Sequence, residues 1–335
     1  MLRLPEFNYL QPRSLREATK ILADLGSDAM IVAGGTDVYP KMKRGQFTPR
    51  HLVSLRMLSE LKGIRRTKDG LWIGAGESLT TVSHHPLIAK HFPALAHASE
   101  SVSTPQLRNM GTIGGNVLVD TRCNYYDQTF FWRQAVGFCM KKDGQICLVA
   151  PGSPKCLAIA SSDTAPVLVS LGAEVILVSK QGNRRVKLER LYRDDGIEYS
   201  AKAQDEVLKG LLIPREALGR RNVYLKLRRR GSFDFPILGA AATMDMDEQG
   251  QCRYASVVLT AVASAPKIVT EATLLQGKKV TTELIESVAD AAAKISHPLD
   301  NADLDYWYRK RMAKVYTRRA LAQLAGIELA AQPNG

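Results

Sequence analysis

Two Gly-Gly pairs restrict what this chain can fold around more than any other feature. They stand in Ala33-Gly34-Gly35-Thr36-Asp37 and in Thr112-Ile113-Gly114-Gly115-Asn116. A diphosphate needs several amide donors close together, and only glycine lets the backbone approach that closely. Each pair reads as following an apolar strand, and each is followed by a short polar residue; Ala29-Met30-Ile31-Val32-Ala33 leads into the first. Neither pair fits the G-x-G-x-x-G of a dinucleotide fold or a P-loop. On the residues alone, two ordinary tight turns and a nucleotide cradle in two halves are both open.

At 335 residues the chain is long for a single core, so two or three domains are expected. Met1 to Arg16 holds no apolar h-region, and no later run approaches about eighteen apolar residues. Neither signal peptide nor membrane span is expected, which implies a cytoplasmic, reducing compartment. There, crowded cysteines hold metal or do redox chemistry more often than they form disulfides. The net charge of +13 is dispersed, with short knots at Arg228-Arg229-Arg230 and Arg318-Arg319. No zinc-finger, RNP or helix-turn-helix pattern accompanies it, so the charge points to acidic protein partners or plain solubility, not nucleic acid.

Ser14 and Glu17 form a capping box before a helix with Ala18, Ile21, Leu22 and Leu25 on one face, ending at Gly26. Leu71 to Gly76 reads as a strand, Thr80 to Ile88 as a helix, and Ser99 to Leu107 as the lead into the second glycine turn. Thr164 to Leu171 reads as a helix closed by Gly172, and Ala173 to Ser179 as a strand. Asp194 to Gly210 is polar and expected at the surface. Val223 to Arg228 alternates as a half-buried strand does. Gly239 to Met246 and Tyr254 to Ala263 read as strands joined by a hairpin at Asp245 to Gly250. Two amphipathic helices, Thr282 to Ile295 and Asp303 to Leu324, precede a loose tail from Ala330. A boundary is expected near Pro214 to Arg221.

Four of the five cysteines, Cys123, Cys139, Cys147 and Cys156, fall on one segment at separations of 16, 8 and 9 positions. The intervening Lys141-Lys142-Asp143-Gly144-Gln145 and Pro151-Gly152-Ser153-Pro154-Lys155 are loop-like. Four thiolates suit a tetrahedral zinc or a [4Fe–4S] cluster, and the tight C-x2-C pairs of zinc knuckles are missing. Residues alone leave cluster, zinc and unliganded cysteines open.

The chain resembles the FAD-binding medium subunit of the molybdenum hydroxylases, the xanthine dehydrogenase and carbon monoxide dehydrogenase group. The resemblance rests on Val32-Ala-Gly-Gly-Thr-Asp37, Asn109-Met-Gly-Thr-Ile-Gly-Gly-Asn116, Ser162-Asp163 before a helix ending in Leu-Gly-Ala, Tyr224-Leu-Lys226 with Arg228 to Arg230, and Tyr308-Arg309-Lys310-Arg311-Met312. It implies an α+β fold: two α/β FAD-binding subdomains, 1–57 and 58–217, then a C-terminal antiparallel sheet with helices, 218–329. It also implies that Ile31, Val32, Ala33, Gly34, Gly35, Thr36 and Asp37 wrap the FAD diphosphate from one side. Thr112, Ile113, Gly114, Gly115 and Asn116 would hold it from the other. Asp163 would bond the ribityl or ribose region, and it also suits the N-cap of the helix from Thr164. Lys226 would sit at the flavin's polar edge, and Val102 would pack on the adenine.

Most of the group lack a cysteine insert, here 120–158. Its presence is similar to one branch, the beta subunit of 4-hydroxybenzoyl-CoA reductases, through Arg122-Cys123-Asn-Tyr-Tyr-Asp127, Phe138-Cys139-Met-Lys-Lys-Asp143 and Ala150-Pro-Gly-Ser-Pro154 with Cys156. That resemblance implies a [4Fe–4S] cluster on the four cysteines, with Cys252 a bystander. Tyr125, Tyr126, Phe130, Phe131 and Trp132 would form a dry shell around it or the insert's own core. It further implies a molybdopterin-containing large subunit, a small subunit with two [2Fe–2S] clusters, a dimer of such heterotrimers, and a ferredoxin-like electron donor. The reaction implied is reductive dehydroxylation to benzoyl-CoA in aromatic catabolism. The FAD subunit of another molybdenum hydroxylase and a zinc-stapled binding module are the alternative readings.

Overall fold

A computed structural model describes residues 2–329; the expected loose tail from Ala330 lies outside them. The N-terminal unit is a three-stranded parallel sheet of β1 (Asn8–Leu10), β2 (Ala29–Val32) and β3 (His51–Ser54), with β3 in the middle. The helix Leu15–Leu25 packs on it through buried Leu15, Ala18 and Leu22. Ser14 caps this helix by accepting from the Glu17 N–H, and Gly26 ends it at φ 52°. The Glu17 carboxylate accepts from the Arg13 N–H, so the reciprocal half of the capping box is displaced by one residue.

The second unit is antiparallel: β4 (Ile64–Thr67), β5 (Gly70–Gly74), β6 (Glu174–Ser179), β7 (Gly182–Lys187) and β8 (Val207–Pro214), in the order β4-β5-β8-β6-β7. The central strand β8 begins inside the stretch expected to be polar surface. Val207, Leu208 and Leu211 are buried there, because the apolar run of β8 outweighs the polar residues before it. The helix expected over Thr80 to Ile88 is two helices, Leu79–His84 and Pro86–His91. Pro86 disfavours helical backbone at His85, which instead caps the second helix. With Pro93–Glu100 and Thr164–Ser170 these helices cover the sheet, and Ile73, Phe92, Leu95, Val167 and Leu211 lie in one core.

The third unit is the antiparallel sheet β9 (Arg221–Leu227), β10 (Leu238–Met246), β11 (Cys252–Thr260) and β12 (Lys267–Ile268), backed by helices Thr282–Ile295 and Tyr306–Ala325. Cys252 is buried at the start of β11, in a core with Val257, Ile285 and Leu321, and apart from the other four cysteines. The architecture is the expected α+β fold. No helix among the described residues is long and apolar enough to cross a membrane.

Arg309 holds the last helix to its sheet. Its side chain is fully buried and donates to the carbonyls of Ala261 (2.6 Å), Leu299 (2.9 Å) and Ile237 (3.4 Å). Burial lowers its pKa to about 10. Arg309→Met leaves those carbonyls without their donor and is expected to cost about 3 kcal/mol. A lower thermal unfolding midpoint, followed by circular dichroism, checks this; an unchanged midpoint contradicts it.

Candidate functional site

The first glycine turn is shaped by what cannot fit beside it. A Cβ on Gly34 would run into the backbone carbonyl of Met110, and one on Gly35, at φ +73°, into the ring of Tyr39. The turn therefore lies directly against the start of the second motif, whose Gly111 faces Thr36 Oγ1. Among the described residues nothing accepts from the N–H groups of Gly34, Gly35, Thr36 or Asp37. Buried amides are almost always paired, so a run of unspent donors marks a place for an anion. Gly34, Gly35 and Thr36 line a cavity of about 500 Å3 together with Tyr39, Lys43, Arg44, Leu107 and Met110. Two cations and a row of free amides fit the diphosphate of FAD. Ile31 and Val32 stand behind them as the end of β2, and Ala33 joins strand to turn.

The second motif departs from expectation. Gly114 and Gly115 follow the helix Pro105–Met110, not a strand, and lie in the helical turn Ile113–Val117 capped by Thr112. Its amides from Ile113 to Asn116 are already spent. Ile113 donates to Glu77 O, Gly114 to Ala75 O, and Asn116 to Thr112 O. The Thr112 hydroxyl accepts from the Gly115 N–H at 3.0 Å. Gly114 is needed because a Cβ there would lie 2.8 Å from the Ala75 backbone oxygen. The Asn116 side-chain oxygen accepts from the Ser162 hydroxyl, the Thr164 hydroxyl and the Thr164 N–H at 2.7–3.1 Å.

Asp163 does not cap the helix Thr164–Ser170 through its side chain. Ser162 Oγ accepts from the Ala165 N–H instead, and Asp163 turns inward. Its carboxylate accepts from the Tyr224 hydroxyl (2.7 Å) and from Lys226 Nζ (3.0 Å); Lys226 also donates to the Ser101 carbonyl. Both side chains of the pair are 3% exposed. Burial pushes the Asp163 carboxyl up and the Lys226 ammonium down, while each partner pulls the other back. Lys226 is thus committed to a buried ion pair and is not a free cation on a strand. Val102 is half-buried against the core of the second unit, and its carbonyl accepts from Arg108.

The insert brings Cys123, Cys139, Cys147 and Cys156 to one recess, with Tyr125, Tyr126, Met140 and Lys141. The recess is narrow, with a free volume of about 10 Å3. All four sulfurs belong to buried residues. Burial pushes the Cys123 thiol up to about 12, against the pull of the Tyr125 and Tyr126 N–H groups. Among the described residues no three His, Cys, Asp or Glu side chains are set to hold a single metal ion. The expected aromatic shell is smaller than the sequence suggested. Phe130, Phe131 and Trp132 sit on the exposed helix Phe130–Ala135 at 42%, 75% and 40% exposure, leaving Tyr125 and Tyr126 at the recess.

Between the first turn and this recess lies a buried ionic network that the sequence did not reveal. Lys41, 1% exposed, binds Asp120 at 2.5 Å and lies within 4.0 Å of Asp37 and Asp127. Arg122 binds Asp37 and Asp127, each at 3.3 Å. Burial would raise the Asp120 carboxyl, but Lys141 and Lys41 hold it below its ordinary value. The only sequence signal was the i,i+4 spacing of Asp37 and Lys41. Gly35→Val should lose FAD while the chain still folds, at a cost of about 1–3 kcal/mol for the left-handed backbone. Gly114→Val should lose stability as well, since it collides with Ala75. Flavin absorbance after gel filtration, read beside the melting midpoint, checks both; stoichiometric FAD in Gly35→Val contradicts the cradle.

Comparison with known proteins covers nearly all of the chain. Residues 5–216 match the model of the FAD binding domain in molybdopterin dehydrogenase, and residues 222–324 that of the CO dehydrogenase flavoprotein C-terminal domain. The carbon monoxide dehydrogenase medium chain of Afipia carboxidovorans is 30% identical over 316 residues, spanning 94% of this chain and 95% of that one. The nicotinate dehydrogenase FAD-subunit of Eubacterium barkeri is 24% identical over 310 residues, 92% of each. In solved structures, the fold matches a chain of the cyanide-inactivated Cu,Mo-CO dehydrogenase with a TM-score of 0.80 at 28% identity, covering 97% of this chain and 99% of that one.

Proposed function

The chain belongs to the FAD-binding medium-subunit family of the molybdenum hydroxylases, and we propose that it relays electrons between FAD and the redox centres of partner subunits. The observation that carries this reading is the row of unspent amides at Gly34 to Asp37, on a cavity flanked by Lys43 and Arg44. Bound FAD supplies a carrier that exchanges electrons singly or in pairs. The chain's own part is to hold the diphosphate on those amides and neutralise it with two cations. The second motif, through Thr112 and Asn116, fixes the turn's floor and orients Ser162 to Thr164. Asp163 would meet the ribityl or ribose region and Lys226 the flavin's polar edge, with Val102 toward the adenine. The domains follow as 1–57, 58–217 and 218–329. The partners are a molybdopterin-containing large subunit and a small [2Fe–2S] subunit in a cytoplasmic dimer of heterotrimers.

A second, finer reading rests on the cysteine recess. Four buried cysteines share the recess, a donor set that suits either a zinc or a cluster. A [4Fe–4S] cluster spreads four irons over the corners of a cube, one per thiolate, which suits four cysteines around a shared space. Cys123, Cys139, Cys147 and Cys156 would hold it, and it supplies one-electron transfer when bound. On this reading the chain would act as in the 4-hydroxybenzoyl-CoA reductase branch, taking electrons from a ferredoxin-like donor.

Anaerobic co-purification with partners, followed by flavin, iron and sulfide analysis, tests both readings. The chain should carry one FAD and, beyond its partners' share, four iron and four labile sulfides. Alone with dithionite it should turn over no substrate. Cys147→Ser should lose the iron and keep FAD, whereas Cys252→Ser should change neither. Flavin without extra iron would leave the FAD subunit of another molybdenum hydroxylase; zinc without labile sulfide would make the insert a structural staple.

A further inference from the structure

Among the described residues, Lys141 is the one cation that lines the cysteine recess. Its side chain is 6% exposed. The ammonium donates to Asp120 Oδ1 at 2.8 Å, to the Thr121 hydroxyl at 2.7 Å and to the Gly196 carbonyl, and it faces the rings of Tyr126 and Tyr199 at 4.8 and 5.5 Å. Gly196 presses on Cys156: a Cβ there would lie 2.6 Å from the sulfur, and its N–H donates to the Cys156 carbonyl. Lys141 is therefore clamped beside Cys156 by three acceptors, one of which belongs to the backbone that covers that sulfur. Burial pushes the Cys156 thiol up, and the Lys141 charge pulls it back in part. Asp120 is shared, since its other oxygen takes Lys41 from the flavin side. The further charges around the pair are Asp37, Asp127 and Arg122.

Burying an ammonium is costly, and an ion pair that served only for stability could be replaced by apolar residues of similar volume at little loss. A fixed cation beside Cys156, on a recess shared by four cysteines, has a use that apolar packing lacks. Adding an electron makes such a centre more negative, and a neighbouring positive charge favours that state. We infer that Lys141 is a positioning residue that sets the reduction potential of the four-cysteine centre, with Asp120 as its counterweight. This rests on the [4Fe–4S] reading. The one-electron couple involves no bond change in the protein. Lys141 raises the potential by its charge, and Asp120 lowers it.

The test is an EPR-monitored redox titration of the anaerobically purified complex. Lys141→Met should move the potential of the additional cluster downward, Asp120→Asn should move it upward, and Lys141→Arg should stay near wild type. Both neutral variants break the same ion pair, so a purely structural role predicts that they fail alike. Movement in the same direction, equal loss of iron in both, or unmoved potentials at wild-type iron content would each overturn the inference. Wild-type complex without the additional iron would instead remove the cluster reading, and the inference with it.

Discussion

The contact between Gly34 and the Met110 carbonyl sets the geometry of everything around the cofactor site. No other residue type allows it, because any Cβ would occupy the place of that oxygen. Through it the parallel sheet of the N-terminal unit is docked on the helix Pro105–Met110 of the second unit. The carbonyls of Gly35 and Asp37 accept from Tyr39 and Lys41 of the helix that follows, while the N–H groups of residues 34–37 precede that helix and have no acceptor among the described residues.

The two glycine motifs consequently do different work, although they look alike in sequence. The first keeps its donors free, as the proposed diphosphate cradle requires. The second is a packed helical turn whose donors close on Glu77, Ala75 and Thr112, and whose asparagine reaches across to Ser162 and Thr164. From there Asp163 passes the connection to Tyr224 and Lys226 on β9 of the C-terminal sheet. A second chain of charges runs from Asp37 through Lys41 and Asp120 to Lys141 in the insert. Polar side chains from neighbouring units thus join the second motif to the C-terminal sheet and the first turn to the cysteine recess. Buried networks of this kind tolerate no half-measures, since each lost partner strands a charge.

Much of this was legible in the residues because local chemistry fixed it. Ser14 and Gly26 bounded the first helix, the alternation in Val223 to Arg228 gave β9, and the helix Thr282–Ile295 followed its apolar face. What escaped depended on partners distant in sequence. Asp163 had the position of a cap, but a buried tyrosine and lysine more than sixty residues later claimed its carboxylate. Phe130, Phe131 and Trp132 had the composition of a core, yet their short helix lies on the insert's surface. Nothing local in the sequence marks Lys41 and Lys141 as buried; Asp120, distant from Lys41 in sequence, holds both. Crowded cysteines, in contrast, did announce a shared recess.

The central claim is that the Gly34 to Asp37 amides hold the diphosphate while those of the second motif are internally committed. Hydrogen–deuterium exchange, with and without FAD, measures this directly. The account predicts rapid exchange at residues 34–37 in the flavin-free chain, strong protection there when FAD binds, and little change at 113–116. Protection gained at 113–116 with none at 34–37 would contradict it.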